Sequence, residues 1–490
     1  MNNQLKVQAG KLKNEVKKNY LCIFRNIYMQ VSANTDEQKQ LEKYALMTRA
    51  SVKRLVVKMA IPTIISMLVT AIYNVVDAAF IGHLSTEATA GVGVSFAYMI
   101  FVQAIGFFLG HGSGNYISRA LGAQNTTNAA KMASTGFFTA LIIGTISAIA
   151  GLCFLSPLSR MMGSTSDILL YSNQYLFYIL LATPFMMTSM VMNNQLRLQG
   201  SANYAMVGLA MGAVVNVFLD PLFIFVLHWG VKGASFATLL SQLFSCILLF
   251  LGTRKAGNVH IKFQNFKPAL YFYKEIVRGG LPSLCRQSLI CISTICLNRA
   301  AAVYAVAGQE ASTIAAFAIV SRIMMFAFSV ILGFGQGFQP VCGFNYGAKL
   351  YARVKESYVF CMTVATVILL IMGSAGYIFA PQLIAVFRSE DAVLLDIGTR
   401  VLRWQCLAFP LIGLTTATNM LFQTIGRVFP ATVLSLCRQG LFFIPILLIV
   451  PSIAGLQGLE ATQAIADVLT FLFTLPFAIK IYKELAKSNQ

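Results

Sequence analysis

Ile61-Pro62-Thr63-Ile64-Ile65-Ser66-Met67-Leu68-Val69-Thr70-Ala71-Ile72-Tyr73-Asn74-Val75-Val76-Asp77-Ala78-Ala79-Phe80-Ile81-Gly82 reads as one membrane-crossing helix, because about 20 consecutive, mostly apolar residues span the hydrocarbon layer. It carries a single carboxylate, Asp77, about four turns beyond Pro62 at 3.6 residues per turn. An ionised Asp near the middle of such a helix costs roughly 2.5 to 3.5 kcal/mol, so it faces a bundle interior or a wet cavity and has a partner. The rest of the chain is read outward from that residue.

Hydrophobic residues fill 57% of the 490 positions and charged residues only 11%, with a mean hydropathy of +0.70. Soluble domains carry about 25% charged residues, so this is an all-α polytopic membrane protein. The net charge of +20 does not indicate nucleic-acid binding, because the basic residues sit at the ends of apolar segments instead of gathering in a folded domain. Ten cysteines and four histidines are scattered, with no CxxC pair and no metal-ligand spacing. They read as packing residues, and no metal or cofactor is expected. An enzyme is disfavoured as well, for no phosphate-binding loop, His-rich cluster or paired-Glu cluster stands at membrane depth.

Twelve apolar segments follow the polar start, with cores near 58–81, 91–110, 133–155, 168–190, 204–227, 233–252, 279–300, 312–335, 357–380, 397–420, 429–450 and 457–481. With both ends on the cytoplasmic side, the inside segments hold 28 Lys and Arg, the outside segments hold six, and Arg286, Arg322 and Arg438 fall within helices. That asymmetry is the positive-inside signature. The expected organisation is a cytoplasmic extension over 1–54, a first lobe of six helices over 55–252, a linker over 253–278, a second lobe over 279–482 and a cytoplasmic tail over 483–490. The extension has no signal-peptide core. Its Tyr20 to Phe24 stretch either lies on the membrane surface or stays disordered, and Met29 and Met47 are alternative starts.

The two lobes are copies. Gly110 to Gln124 aligns with Gly335 to Lys349 at an offset of 225; Pro184, Asn193 and Gly200 meet Pro410, Asn419 and Gly426 at 226; Gly230 and Gly233 meet Gly455 and Gly458 at 225. Upstream, Ile61-Pro62 meets Leu281-Pro282. Each copy has an even number of helices, so the copies are related by a pseudo-two-fold axis along the membrane normal.

Only Asp77, Asp220 and Asp467 lie well inside apolar segments. Asn216 and Asp220 are four residues apart and share a helix face. Pro221 cannot donate its backbone bond, so it loosens the helix beside that carboxylate. Two carboxylates and an amide near free backbone carbonyls suit a proton or a sodium ion, since a cation relieves the repulsion between the acids. Plainer readings are a kink residue for Asp220, a solvated interfacial residue for Asp77 and a peripheral role for Asp467, which has little polar company.

Taken together, the Tyr73 to Gly82 end of the first helix, Ser118-Arg119 with Leu121-Gly122-Ala123, the Leu198-Gln199-Gly200 turn, Asn216 to Pro221 and the duplicated six-helix plan resemble the MATE family of multidrug and toxic compound extrusion antiporters. The resemblance covers about residues 50–485 and is nearest the bacterial branch with an aspartate in the first helix. It implies a cation-coupling site at Asp77, Asn193, Asn216, Asp220 and Thr238, with helix bending at Pro62 and Pro221. It also implies exchange of organic, often cationic, compounds for Na+ or H+ by alternating access, in a bacterial plasma membrane. Nothing in the sequence calls for an oligomer, and a monomer is expected. Met186 and Met190 beside Asn194 on the fourth helix are candidates for a pliable substrate cavity or for ordinary packing. Arg286, like Arg322 and Arg438, either faces the cavity, paired or open to an anion, or snorkels to the interface. The alternative function is a flippase for lipid-linked oligosaccharides, whose phosphate would favour basic residues in the cavity.

Overall fold

The computed structural model describes residues 35–82, 84–387 and 391–487. The expectations for residues 1–34, including the surface stretch, and for the last three residues of the tail lie outside that range. In chain order the membrane helices are α1 Val52–Gly82, α2 Thr86–Gly122, α3 Thr126–Cys153, α4 Leu169–Leu198, α5 Ala202–Val226, α6 Gly230–Thr253, α7 Leu270–Val303, α8 Glu310–Gly347, α9 Tyr351–Ile378 and α10 Ala392–Ile425. The last helical stretch, Val428–Lys487, turns at Gly455 (φ +57°) and so forms α11 and α12. Twelve spans in two six-helix lobes is the arrangement that the hydropathy pattern predicts.

Side chains close the helix starts where the sequence provides them: Ser85, Asn125 and Asp391 accept from the backbone of Ala88, Asn128 and Leu394. α1 continues through Pro62, and one turn on Ser66 Oγ donates back to the Pro62 carbonyl at 3.0 Å. At Pro221 the backbone does change, and Leu222–Val226 is a π-helical turn. α7 begins at Leu270, inside the stretch read as linker, because Phe272, Glu275 and Ile276 are buried against the first lobe and hold its opening turns.

The duplication is written into the backbone. Gln124 and Lys349 have φ +58° and +60°, Gly200 and Gly426 +84° and +81°, and Gly230 and Gly455 +55° and +57°. Asn193 Nδ2 donates to the carbonyl of Ala205 at 2.9 Å, and its counterpart Asn419 donates to Ala431 at 2.9 Å.

The lobes meet along the half of the molecule that carries residues 35–49 and the end of α12. There α2 packs on α7, α1 on α8, and α2 on α8. The approach is too close for side chains: a β-carbon at Gly122 would overlap the carbonyl oxygen of Phe344, and one at Gly347 would overlap that of Arg119. Those two contacts exchange under the offset of 225, so the seam is self-complementary about the pseudo-two-fold. Gly280 against Phe108 and Gly337 against Ala60 extend it. Polar groups lock it: Arg119 donates to Thr424 O at 2.6 Å and pairs with Glu275 at 3.0 Å, and buried Arg197 donates across the seam to Gln336 O at 2.7 Å and Gln339 Oε1 at 2.9 Å.

A helix over 35–49 lies across this end. Lys43 Nζ donates to Ser201 Oγ, Gly257 O and Asn258 Oδ1 at 2.9, 2.8 and 2.7 Å, while the carbonyls of Met47 and Ala50 accept from Asn345 and Arg353. It therefore ties the first lobe and linker to the second lobe.

Candidate functional site

Three helices of the first lobe bring Asp77 of α1, Asn216 and Asp220 of α5 and Thr238 of α6 into one buried cluster. Asp77 is 3% exposed, Asp220 0%, Asn216 1% and Thr238 1%. The carboxyl groups of Asp77 and Asp220 lie within hydrogen-bonding reach of each other, and Asn216 Nδ2 donates to Asp220 Oδ1 at 3.2 Å. The π-helical turn begins at Leu222, so α5 changes geometry two residues beyond its acid. Three oxygens remain orphaned here: Asp77 Oδ1, Asp220 Oδ2 and Asn216 Oδ1 are buried without a hydrogen-bond partner. Buried oxygens are rarely left so, and such a set suits a hard cation or a shared proton.

Two tyrosines complete the site. Tyr73 and Tyr175 both reach Thr238 and lie within the field of both acids. Tyr73 precedes Asp77 by four residues and so shares its helix face, a signal present in the sequence. Tyr175, on α4, has no spacing that ties it to the acids.

The expected fifth member is elsewhere. Asn193 bonds Ala205 at the start of α5, about 22 Å along that helix from Asp220 at 1.5 Å per residue. Met190 and Asn194 pack beside Gly106 and Gly110 of α2, Asn194 accepts from Arg197, and Met186 is buried in the lobe's core. None of the three lines the central cavity described next.

That cavity, of about 440 Å³, lies mainly in the second lobe, with Met67 of α1 and Phe107 of α2 closing one side. Its pliable wall is Met67, Met324, Met325 and Met420, not the methionines of α4. The three helix arginines part company here. Arg438 pairs with Asp467 at 2.8 Å, joined by Gln463 at 3.1 Å, so Asp467 has the polar company that its flanking sequence did not suggest. Arg322 lies on an exposed face of α8. Arg286 lines the cavity.

Two six-helix lobes related as parallel copies, with an acid cluster in the first and a cavity mainly in the second, define the parallel-repeat class of membrane transporter. Residues 62–222 and 290–449, one stretch in each lobe, match the MatE family model, and the chain belongs to that family. The multidrug export protein MepA of Staphylococcus haemolyticus is 25% identical over 420 residues, covering 85% of this chain and 91% of that protein. MepA of Staphylococcus aureus strain MRSA252 is 26% identical over 426 residues, 84% of this chain and 90% of its own. A solved structure described as an outward-facing conformation of a multidrug resistance MATE family transporter of the MOP superfamily superposes with a TM-score of 0.84 at 28% identity, over 90% of this chain and 98% of that one.

Proposed function

We propose that this protein exports organic compounds from the cell in exchange for Na+ or H+, by alternating access, with Asp77 and Asp220 as the coupling acids. The observation that carries the proposal is the trio of orphaned oxygens on Asp77, Asp220 and Asn216. Two carboxylates in reach of each other in a dry site repel unless a cation or a proton lies between them. Asn216 and Thr238 then supply neutral oxygens that a sodium ion can use. The names of the staphylococcal relatives support export of drugs as the task.

α1 provides the link between coupling site and cavity. Asp77 sits near one end of it, Met67 lines the cavity, and Ala60 lies under Gly337 in the seam. Loading the acids changes the charge at one end of this rod, and a bend at Pro62 would carry the change to the seam. Coupling requires only that cation and compound favour different states, and each then weakens the other's binding by the same factor. The lobes touching on one side and parting on the other is the form such a state takes. The surplus of Lys and Arg on the side of the chain ends supports placing that side in the cytoplasm of a bacterial plasma membrane, and one chain suffices to form the site.

The test is gradient-driven export of a fluorescent organic cation from proteoliposomes, under separate sodium and proton gradients, for wild type, Asp77→Asn and Asp220→Asn. Loss of driven export in both variants, with the fold intact, is expected. Export insensitive to both substitutions removes the site. The cavity arginine favours one second reading, a flippase for a phosphate-bearing lipid, and lipid translocation without any cation export would establish it instead.

A further inference from the structure

Among the described residues, Arg286 is the one cavity charge left over. Around the cavity, Glu460 is held by Arg400 through Oε1 at 2.7 Å, and Arg438 is held by Asp467 at 2.8 Å while stacking on Phe328 at 4.2 Å. Among the described residues, each carboxylate at the cavity thus has its own arginine, and the guanidinium of Arg286 makes no ion pair or hydrogen bond. Its nitrogens are open to the cavity, for they are not among the buried atoms that lack a partner. The neighbouring arginine Arg197 deepens the positive field. Arg197 behind Gln336 is bound only to neutral oxygens, and His111, bonded to Ser283 at 3.1 Å, lies within the field of both Arg197 and Arg286. Gln287, Gln336 and Gln439 also line the cavity and offer further amide donors to a ligand there. The rest of the lining is largely apolar and aromatic, with Phe107, Phe317, Leu297 and Met324 among it.

From this charge count we infer that the cavity selects apolar, aromatic molecules that bear one anionic group, a carboxylate, sulfonate or phosphate, seated in the fork of Arg286. A planar guanidinium meets such a group with two parallel hydrogen bonds. The volume of about 440 Å³ suits a drug-sized ligand. A substrate that is purely cationic meets an uncompensated like charge at this end, so zwitterions and anions are preferred over simple cations. The inference rests on the export reading for what the cavity is for; what it prefers rests on Arg286 alone.

The test uses three ligands of one shape: 2-naphthoate, the uncharged 2-naphthamide and the cationic 2-naphthylmethylamine. Binding of each is measured by equilibrium dialysis on the purified full chain in detergent, and each is tested as a competitor of gradient-driven export. Naphthoate should bind about tenfold or more tighter than the amide, the yield of one bidentate charge-assisted contact. Arg286→Gln should erase that difference and favour the amine, while Arg286→Lys, a charge without the fork, should keep part of it. A monodisperse size-exclusion profile shows that the variants fold. Equal binding of carboxylate and amide to wild type, or a preference untouched in Arg286→Gln, overturns the inference even if cation export is robust. Arg286-dependent naphthoate binding without any driven export supports the anion seat while ending the export reading. Dioctanoyl phosphatidate is the lipid arm: if it binds through Arg286 and naphthoate does not, the assignment to a small organic molecule falls.

Discussion

The reciprocal glycines Gly122 and Gly347 offer a quantitative handle on the seam. Substituting either by alanine places a methyl group where the carbonyl oxygen of the facing helix now lies: Phe344 for Gly122, Arg119 for Gly347. Both obstacles are backbone, so no side chain can swing away, and the helices must separate. Overpacking of this kind costs about 1–3 kcal/mol. The cost arises only while the seam is closed, so it appears as a change in population: the ratio of seam-closed to seam-open molecules should fall about 5- to 150-fold. Because the two contacts exchange under the pseudo-two-fold, the single variants should shift the ratio equally. The double variant should shift it by less than the product, since one separation relieves both clashes. The readout is a distance distribution between spin labels at Met161 and Val303, which are 81% and 75% exposed and stand on the far side of the two lobes from the helix over 35–49, with the native cysteines replaced. Opening of the seam should shorten that distance. An unchanged distribution in both folded variants, or a response to only one of them, would refute the reasoning.

The equivalent amides give a second check. Asn193→Ala removes a part-buried bond to a backbone carbonyl and should lower stability by about 1 kcal/mol in thermal unfolding in detergent, while Asn419→Ala removes a buried one together with a bond to Ser435 Oγ and should cost more. Neither should change the dependence of export on sodium or protons, and a coupling defect confined to Asn193→Ala would restore that residue to the cation site. A third concerns Lys43, whose ammonium is pushed down by burial from 10.5 to about 8. The docked helix then holds fewer protons than the undocked one between about pH 8 and 10.5, so docking should strengthen as pH rises through that window. Amide exchange of residues 35–49, corrected for its intrinsic pH dependence, measures this; the trend should vanish in Lys43→Met, and docking that weakens with rising pH would contradict it.

Much of this molecule is legible because a bilayer punishes exceptions. An acid inside an apolar run is costly enough to stand out, which is how Asp77, Asp220 and Asn216 are found before any coordinates. The repeat is legible because its anchors are backbone demands: Gly200, Gly230, Gly426 and Gly455 sit at positive φ where other residues are strained. The misplacement of Asn193 has the same origin. It is one of the duplicated positions, and what both lobes share is scaffold, whereas the acid cluster lies where they differ: Leu297 stands in for Asp77 at the offset set by Pro62 and Pro282, and Ile446 for Asp220 at 226. The methionines of α4 mislead because their faces are decided by partners far away in sequence, the glycines of α2. Tyr175 and the open Arg286 are hidden for the same reason, since only the fold shows what does or does not lie opposite them.

The helix over 35–49 also has an order of assembly built into it. Lys43 finds its acceptors 158 to 215 residues downstream, so that end can seat once the first six spans and the linker exist. Asn345 and Arg353, which hold Met47 and Ala50, lie 298 and 303 residues downstream and are made only with the eighth and ninth spans. A segment translated before every span is thus fastened last, and a chain interrupted between the lobes leaves it held at one end only.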